Sequence, residues 1–142
     1  MLQEVFMKSY DAIIIGFGKG GKTLAGYMAK QGKRVAMIEK SNQMYGGTCI
    51  NEGCIPSKSL IIQADKQSYG QAVERKEALI EKLRKKNFDK LDSLEPVDVI
   101  TAKASFVSDH EVHVQGAGVD ETLYGDYIFL NTGSVSNIPN IK

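Results

Sequence analysis

The chain has 142 residues, with 18 Lys and Arg against 17 Asp and Glu and only two cysteines. That length is typical of one domain with a real core, and a net charge of +1 gives no electrostatic argument for a nucleic-acid or membrane partner. No apolar run approaches the roughly 18–20 residues that span a bilayer, and two cysteines are too few for a secreted disulfide scaffold, so a soluble, cytoplasmic α/β domain is expected.

The first elements predict a βαβ unit. Residues 10–15 form an apolar, β-branched run that is typical of a strand buried on both faces, and residues 1–9 before it are interpreted as a leader. A glycine-rich turn ends this strand. A helical pattern covers about 22–31, and a second buried strand at 34–38 ends in Glu39. Two strands joined by a helical crossover of this kind are expected to lie parallel.

The middle of the chain predicts a loop and two helices. Residues 41–53 are rich in Gly and Asn and are expected to form a loop. Pro56 is expected to open a helix that runs to about Tyr69. Gly70 is expected to interrupt it, and a charged helix then covers 71–94.

The last third has the pattern of short strands. An antiparallel meander is predicted from strands at 97–100, 102–107, 111–115 and 122–124. A further apolar strand covers 126–130. The predicted fold class is therefore α/β, with a Rossmann-like parallel sheet, flanking helices and an antiparallel β-meander crossover.

Three glycines between the first strand and the first helix predict a nucleotide site. Gly16, Gly18 and Gly21 fit Gly-x-Gly-x-x-Gly, in which the glycines allow a tight turn, close approach to a pyrophosphate and close helix–strand packing. Glu39 ends the next strand, where a carboxylate can accept hydrogen bonds from an adenosine ribose. The pattern favours dinucleotide binding without distinguishing FAD from NAD. The alternative is a purely structural turn.

The two cysteines predict redox chemistry. Cys49 and Cys54 are five residues apart, which in a regular helix means about 7.5 Å of rise, whereas a disulfide needs Cα atoms roughly 4.4–6.8 Å apart. An oxidised pair therefore requires a bend, which Asn51 and Gly53 permit. A helix that begins near Pro56 is expected to favour a thiolate at Cys54 through its dipole.

Two other interpretations of the cysteines stay open. They could be structural thiols, or half of a zinc site. Zinc takes about four ligands, and the only histidines of the chain, His110 and His113, fall in the distant meander. A redox pair is therefore favoured, and no metal site is predicted.

Residues 47–58 closely resemble the active-site signature of the flavin-dependent pyridine nucleotide–disulfide oxidoreductases. They read Gly-Thr-Cys-Ile-Asn-Glu-Gly-Cys-Ile-Pro-Ser-Lys, and the family includes dihydrolipoamide dehydrogenase, glutathione reductase and mercuric reductase. The resemblance covers residues 10–142, as the N-terminal segment of an FAD-binding domain. Residues 15–25 and 44–47 are most similar to the branch that protects bacteria against reactive chlorine species and hypothiocyanous acid.

The resemblance implies roles for individual residues. Cys54 would be the thiolate beside the flavin, and Cys49 the interchange thiol that attacks the substrate. Asn131 stands where alanine is more usual in the family. The positions that the resemblance assigns to FAD are Gly16, Gly18, Gly21, Glu39, Lys40, Gly47, Thr48, Lys58, Ala104, Thr132 and Gly133.

The resemblance also implies an electron path from NAD(P)H through FAD to the Cys49–Cys54 pair, and on to a disulfide, an oxidised thiol, an oxidant or a metal ion. Family members are longer and carry nicotinamide-binding and dimerisation domains. The chain is therefore expected to be an N-terminal fragment of a homodimeric enzyme, inactive alone and weak in retaining FAD. The alternative is a non-catalytic nucleotide-binding module with structural cysteines.

Overall fold

A computed structural model describes residues 7–116 and 118–141. Their strands are β1 (Lys8–Ile15), β2 (Val35–Glu39), β3 (Val97–Thr101), β4 (Lys103–Phe106), β5 (Glu111–Gly116) and β6 (Val119–Leu130). Their helices are α1 (Lys19–Lys30), α2 (Thr48–Asn51), α3 (Cys54–Gln63) and α4 (Tyr69–Asp92), with a 3₁₀ turn at Asn42–Met44.

All six strands form one mixed sheet in the order β3-β2-β1-β6-β5-β4. The strands β3, β2, β1 and the second half of β6 are parallel, and β1 pairs with β6 from Lys8–Leu123 to Ile15–Leu130. The strands β4 and β5 extend the sheet antiparallel to the first half of β6. The predicted α/β class, Rossmann-like with flanking helices, is confirmed.

The predicted meander is wrong at both ends. Residues 97–101 form a parallel edge strand beside β2, with Val97 opposite Val35. The separate strands predicted at 122–124 and 126–130 are one strand, β6, which belongs to both parts of the sheet. Side-chain alternation reports which face of a strand is buried, but it does not report which strand is the neighbour, and this is the reason for both errors.

The break between α3 and α4 lies earlier than predicted. Helix α3 ends at Gln63, and α4 begins at Tyr69, so that Gly70 lies in its first turn. A capping box fixes this start, because the Ser68 hydroxyl accepts from the Gln71 amide and the Gln71 side chain accepts from the Ser68 amide. The glycine is tolerated because its position in the first turn precedes most of the helical hydrogen bonds.

Other boundaries also differ from the predictions. Helix α1 begins at Lys19 rather than at 22, and α3 begins at Cys54 rather than at Pro56. The predicted loop at 41–53 contains the short helix α2 and the 3₁₀ turn. Strand β1 begins at Lys8, so the last two residues of the predicted leader pair in the sheet, while residues 1–6 lie outside the described residues.

Apolar layers cover both faces of the parallel strands. The layer under the helices consists of Ile14, Phe17, Ala25, Ala29, Val35, Met37, Leu91 and Val97. The opposite layer consists of Tyr10, Ile13, Ala36, Ile38, Ile100, Ala102, Val112, Val114 and Leu123. Because β1 and β2 are parallel neighbours, Gly16 and Glu39 lie at the same edge of the sheet, at the carboxyl ends of these strands. Among the described residues, no helix has the length and hydropathy to cross a membrane.

The packing of α4 on the sheet predicts a large stability loss on truncation. Leu91 is almost fully buried between α4 and the sheet, so Leu91→Ala should lower the free energy of unfolding by about 2–5 kcal/mol. Urea unfolding followed by circular dichroism measures it. The control is Lys86→Ala, an exposed position on the same helix, which should leave stability within about 0.5 kcal/mol. Equal effects in the two variants would contradict this packing.

Candidate functional site

The turn after β1 is built for glycine at its first position. Gly16 has φ +108°, and a Cβ there would lie 2.1 Å from the Asn131 carbonyl oxygen. A Cβ on Gly21 would lie 2.6 Å from the Gly16 carbonyl oxygen. The Asn131 side chain donates from Nδ2 to that same oxygen at 3.0 Å. The turn is therefore packed against both α1 and the end of β6, and side chains have no room there.

The first turn of α1 is open to an anion. Gly18 is the N-cap residue, and no side-chain hydrogen bond caps this turn. The turn also contains no acidic residue. Its backbone N–H groups and the positive end of the helix dipole are therefore available to a pyrophosphate.

Glu39 is a buried carboxylate at the end of β2. Glu39 is the only polar residue among the buried residues that the structure describes, and 8% of its surface is exposed. One oxygen accepts from the Phe17 amide and the other from the Ser41 amide, both at 3.1 Å. Each carboxylate oxygen has a further lone pair, so Glu39 can also accept from the hydroxyls of a ribose.

A cleft of about 230 Å³ opens beside Glu39. It is lined by Ile15, Gly16, Ile38, Glu39, Lys40, Ala102, Lys103, Ala104 and Thr132. Five of these residues were assigned to the cofactor from the sequence. They lie at the ends of β1 and β2, in β4 and after β6, and they are Gly16, Glu39, Lys40, Ala104 and Thr132. The apolar wall of the cleft was not predicted from the sequence, although Ile15 and Ile38 directly precede the predicted Gly16 and Glu39.

The segment that carries the two cysteines (the dithiol segment, residues 47–54) contacts the turn between β1 and α1 (the glycine turn, residues 16–18). Gly47 has φ +77°, and a Cβ on it would lie 2.6 Å from the Cα of Gly18. Thr48 follows as the first residue of α2. The backbone of Gly47, followed by Thr48, therefore lies against the backbone of Gly18. Lys58 is exposed on α3, and Gly133, with φ +70°, is exposed after β6; neither lines the cleft.

The two cysteines lie on either side of a bend. Cys49 belongs to α2, which ends where the amides of Glu52 and Gly53 both donate to the Thr48 carbonyl oxygen, at 2.9 and 2.8 Å. Helix α3 then begins at Cys54. Both cysteines are free thiols, Cys49 half-buried and Cys54 exposed.

Cys54 affects the ionisation of Cys49. Interaction with the Cys54 side chain, followed by desolvation and the charge of Cys54, raises the pKa of Cys49, while Lys19 and Lys58 act in the opposite direction. Lys22 is also close: burial lowers the pKa of its ammonium group, and the charge of Cys49 partly offsets that shift. Two neighbouring sulfurs therefore do not both ionise readily.

Aromatic packing holds the segment before the cysteines. The ring of Tyr45 lies between Phe17 and Phe88, with centroid distances of 5.3 and 4.8 Å. Its hydroxyl forms a hydrogen bond with the Thr101 hydroxyl. Tyr45 thus joins the glycine turn, α4 and the end of β3. This packing role was not predicted from the sequence, because a single tyrosine in a loop carries no pattern.

The residues present fit the adenosine diphosphate part of FAD. The cleft has apolar walls for a base, Glu39 keeps free lone pairs, and the uncapped start of α1 can face a pyrophosphate. The Gly18–Gly47 contact then places the dithiol segment next to any ligand that extends along the turn. The geometry therefore supports a dinucleotide whose far end reaches toward the cysteines.

Comparison with known proteins identifies the family. The family model described as pyridine nucleotide-disulphide oxidoreductase matches residues 10–142. The chain belongs to this family. The pyridine nucleotide-disulphide oxidoreductases are FAD-dependent and use NAD(P)H as the electron donor. The resemblance stated from residues 47–58 is thereby confirmed.

Several members of the family are similar over most of this chain. The probable pyridine nucleotide-disulfide oxidoreductase RclA of Escherichia coli is 46% identical over 136 residues, covering 95% of this chain and 31% of the relative. A soluble pyridine nucleotide transhydrogenase of Hahella chejuensis is 34% identical, covering 92% and 32%. A dihydrolipoyl dehydrogenase of Chlamydia trachomatis is 30% identical, covering 89% and 30%.

Solved structures of one member show the same fold. The HOCl-induced flavoprotein disulfide reductase RclA from Escherichia coli superposes with a TM-score of 0.87 at 47% identity, over 93% of this chain and 30% of that one. Its Cu(II) complex superposes with a TM-score of 0.91 at 46% identity, over 95% and 31%. The chain therefore spans about a third of the length of the family members that it matches.

The effect of Cys54 on Cys49 predicts how Cys49 responds to pH. Because the Cys54 side chain is the largest cause of the raised Cys49 pKa, Cys54→Ala should move the pH midpoint of Cys49 alkylation by iodoacetamide downward. Below the wild-type midpoint, Cys49 of the variant should therefore react faster than Cys49 of the wild type. Peptide mass mapping separates the two cysteines. The control is Ser57→Ala, an exposed change in α3. A midpoint that stays in place or rises in Cys54→Ala would contradict the effect of Cys54 on the Cys49 pKa.

Proposed function

We propose that residues 10–142 are the FAD-binding and dithiol-bearing segment of a flavin-dependent disulfide reductase, in which Cys49 and Cys54 exchange electrons with the substrate. The observation that carries this proposal is the contact between Gly47 and Gly18, because it joins the nucleotide cleft to the dithiol segment. Membership in the pyridine nucleotide-disulphide oxidoreductases supports it. The exposed Cys54 supports it as well.

The residues of the chain would bind and orient the cofactor. Glu39 would accept hydrogen bonds from the ribose, and the first turn of α1, from Lys19, would hold the pyrophosphate. Lys40 and Ala104 lie on the walls of the adenosine cleft, with Thr132 at its rim. The resemblance places Thr48 and Lys58 on the flavin side. When bound, FAD supplies the acceptance of hydride from NAD(P)H and the transfer of its two electrons.

The cysteines pass two electrons to a substrate disulfide. Cys49 gives up its proton and attacks one sulfur of the substrate, the substrate S–S bond breaks, and the leaving sulfur takes up that proton as the first substrate thiol. Cys54 then gives up its proton and attacks the Cys49 sulfur of the mixed disulfide. The second substrate sulfur takes up this proton and leaves as a thiol, and the Cys49–Cys54 bond is formed. Reduction of that bond by two electrons and two protons restores both thiols.

The wider context of the segment is part of the same proposal. The parent enzyme would take NAD(P)H as donor, act as a homodimer in the cytoplasm, and reduce a small-molecule disulfide, an oxidised thiol or a related oxidant. The similarity to the E. coli protein described as HOCl-induced supports a substrate formed by oxidation of thiols. The 31% coverage of that protein supports the interpretation as an N-terminal segment.

The competing interpretation is a nucleotide-binding module whose cysteines serve only the fold. Structural cysteines are normally buried among apolar side chains. Here Cys54 is exposed and Cys49 is half-buried, and neither belongs to the apolar layers of the described residues. The positions of the two thiols therefore favour exchange chemistry.

Flavin binding tests the nucleotide half of the proposal. Glu39→Gln keeps the volume of the side chain but removes its charge and one acceptor, and it should weaken FAD binding by about tenfold. Flavin fluorescence anisotropy, measured as the chain concentration is raised, reports weak binding directly. Glu95→Gln, an exposed carboxylate after α4, is the matched control. A folded wild type that does not bind FAD, or equal affinities in the two variants, would contradict the site.

Oxidation by glutathione disulfide tests the dithiol half. The wild type should lose two hydrogen atoms as the Cys49–Cys54 bond forms, with two glutathiones released, and dithiothreitol should reverse the change. Cys49→Ser should instead stop at a mixed disulfide between glutathione and Cys54. Intact-mass spectrometry distinguishes these products. Structural cysteines would give no intramolecular bond while the chain stays folded, and that result would favour the module.

A further inference from the structure

Arg84 connects α4 to the segment between the two cysteines. Its Nε donates to Oδ1 of Asn51 at 3.0 Å, and its Nη1 donates to Oε1 of Gln43 at 2.6 Å. Asn51 is the third residue of the hexapeptide Cys49–Cys54, and Gln43 lies in the 3₁₀ turn. Arg84 is half-buried. One guanidinium therefore holds the 3₁₀ turn and the end of α2 through two separate nitrogens.

Asn51 carries this contact into the backbone of the dithiol segment. Its Nδ2 donates to the Gly47 carbonyl oxygen at 2.9 Å and to the Tyr45 carbonyl oxygen at 3.2 Å. The side-chain amide of Asn51 is thus bonded on both sides, to the backbone before Cys49 and to Arg84. Rotation of the hexapeptide would break these three bonds together.

We propose that Arg84 is a positioning residue that holds the hexapeptide, through Asn51, in the bent form in which Cys49 and Cys54 can bond. This role rests on the proposed function of the two cysteines as an exchanging pair. Arg84 does not itself touch the reacting sulfurs. It acts by fixing the backbone that carries them.

The physical basis is a shared entropy cost. Closing the Cys49–Cys54 ring restricts the backbone rotations of the hexapeptide, and the Arg84–Asn51 bond restricts the same rotations. When one constraint is present, the other has less freedom left to remove, so each makes the other more favourable. Loss of the Arg84 contact should therefore disfavour the disulfide relative to the dithiol, whatever the effect on overall stability.

The test is the equilibrium between the full chain and glutathione. One glutathione disulfide oxidises the two thiols to the Cys49–Cys54 bond and leaves as two glutathione thiols, so electrons and protons balance. We expect Arg84→Met to lower this equilibrium constant about fivefold, because it removes a hydrogen bond from a charged donor. For a two-electron couple, fivefold corresponds to about 20 mV. Acid quenching and thiol alkylation, followed by mass spectrometry, give the oxidised fraction.

Matched variants separate positioning from charge. Lys82→Met removes one positive charge from an exposed position of the same helix and should leave the constant unchanged. Arg84→Lys keeps the charge but loses the planar fork, and should behave like Arg84→Met. In Asn51→Ala, the further change Arg84→Met should have no additional effect, because Arg84 acts through Asn51. Urea unfolding confirms that each variant is folded.

Several results would overturn the proposal about Arg84. An Arg84→Met constant within twofold of the wild type, equal losses in Lys82→Met and Arg84→Met, or additive losses in the double variant would each overturn the proposal. If Arg84→Met does not fold, Arg84→Lys is held to the same criterion. A wild type that forms no Cys49–Cys54 disulfide would overturn both this proposal and the proposed function. An unchanged constant beside a normal wild-type disulfide would overturn this proposal alone.

Discussion

The close approach of Gly47 to Gly18 is the constraint on which the candidate site depends. Only the absence of a side chain at Gly47 lets the dithiol segment lie against the turn that follows β1. The two parts of the site come from different structural elements, a strand–helix turn and two helices joined by a bend. The nucleotide cleft and the cysteines are close together because the backbones of Gly47 and Gly18 are in contact, with no side chain between them.

The surroundings of this contact are fixed by side chains from distant elements. Tyr45 packs between aromatic rings of the glycine turn and α4, Asn131 ties the end of β6 to the turn, and Arg84 ties α4 to the dithiol segment. The helix α4 thus has two roles. Its buried face, with Leu91, holds the sheet, and its polar side holds the segment that carries the sulfurs. If Cys49 and Cys54 act as proposed, a change in α4 would therefore affect their redox behaviour without contact to either sulfur.

The sequence predicted the βαβ unit, the glycine turn and the position of Glu39 because these depend on local patterns, namely apolar runs, glycine spacing and strand ends. The neighbour of β3 and the unity of β6 depend on pairing between distant segments, and local patterns do not encode them. The start of α4 was missed because a capping box at Ser68 decides it, not the nearby glycine. The site assignments stay predictions, but five of them meet in one cleft because parallel strands end at a common edge.

The position of β1 in the sheet has a consequence for biosynthesis. This strand lies between β2, which follows it closely in the chain, and β6, with Lys8 opposite Leu123. As the polypeptide emerges from the ribosome, one side of β1 can pair early, whereas the other side stays unpaired until β6 has been translated. During that interval the unpaired side is open to wrong partners. The nascent chain is thus most vulnerable to aggregation just before its central strand is closed.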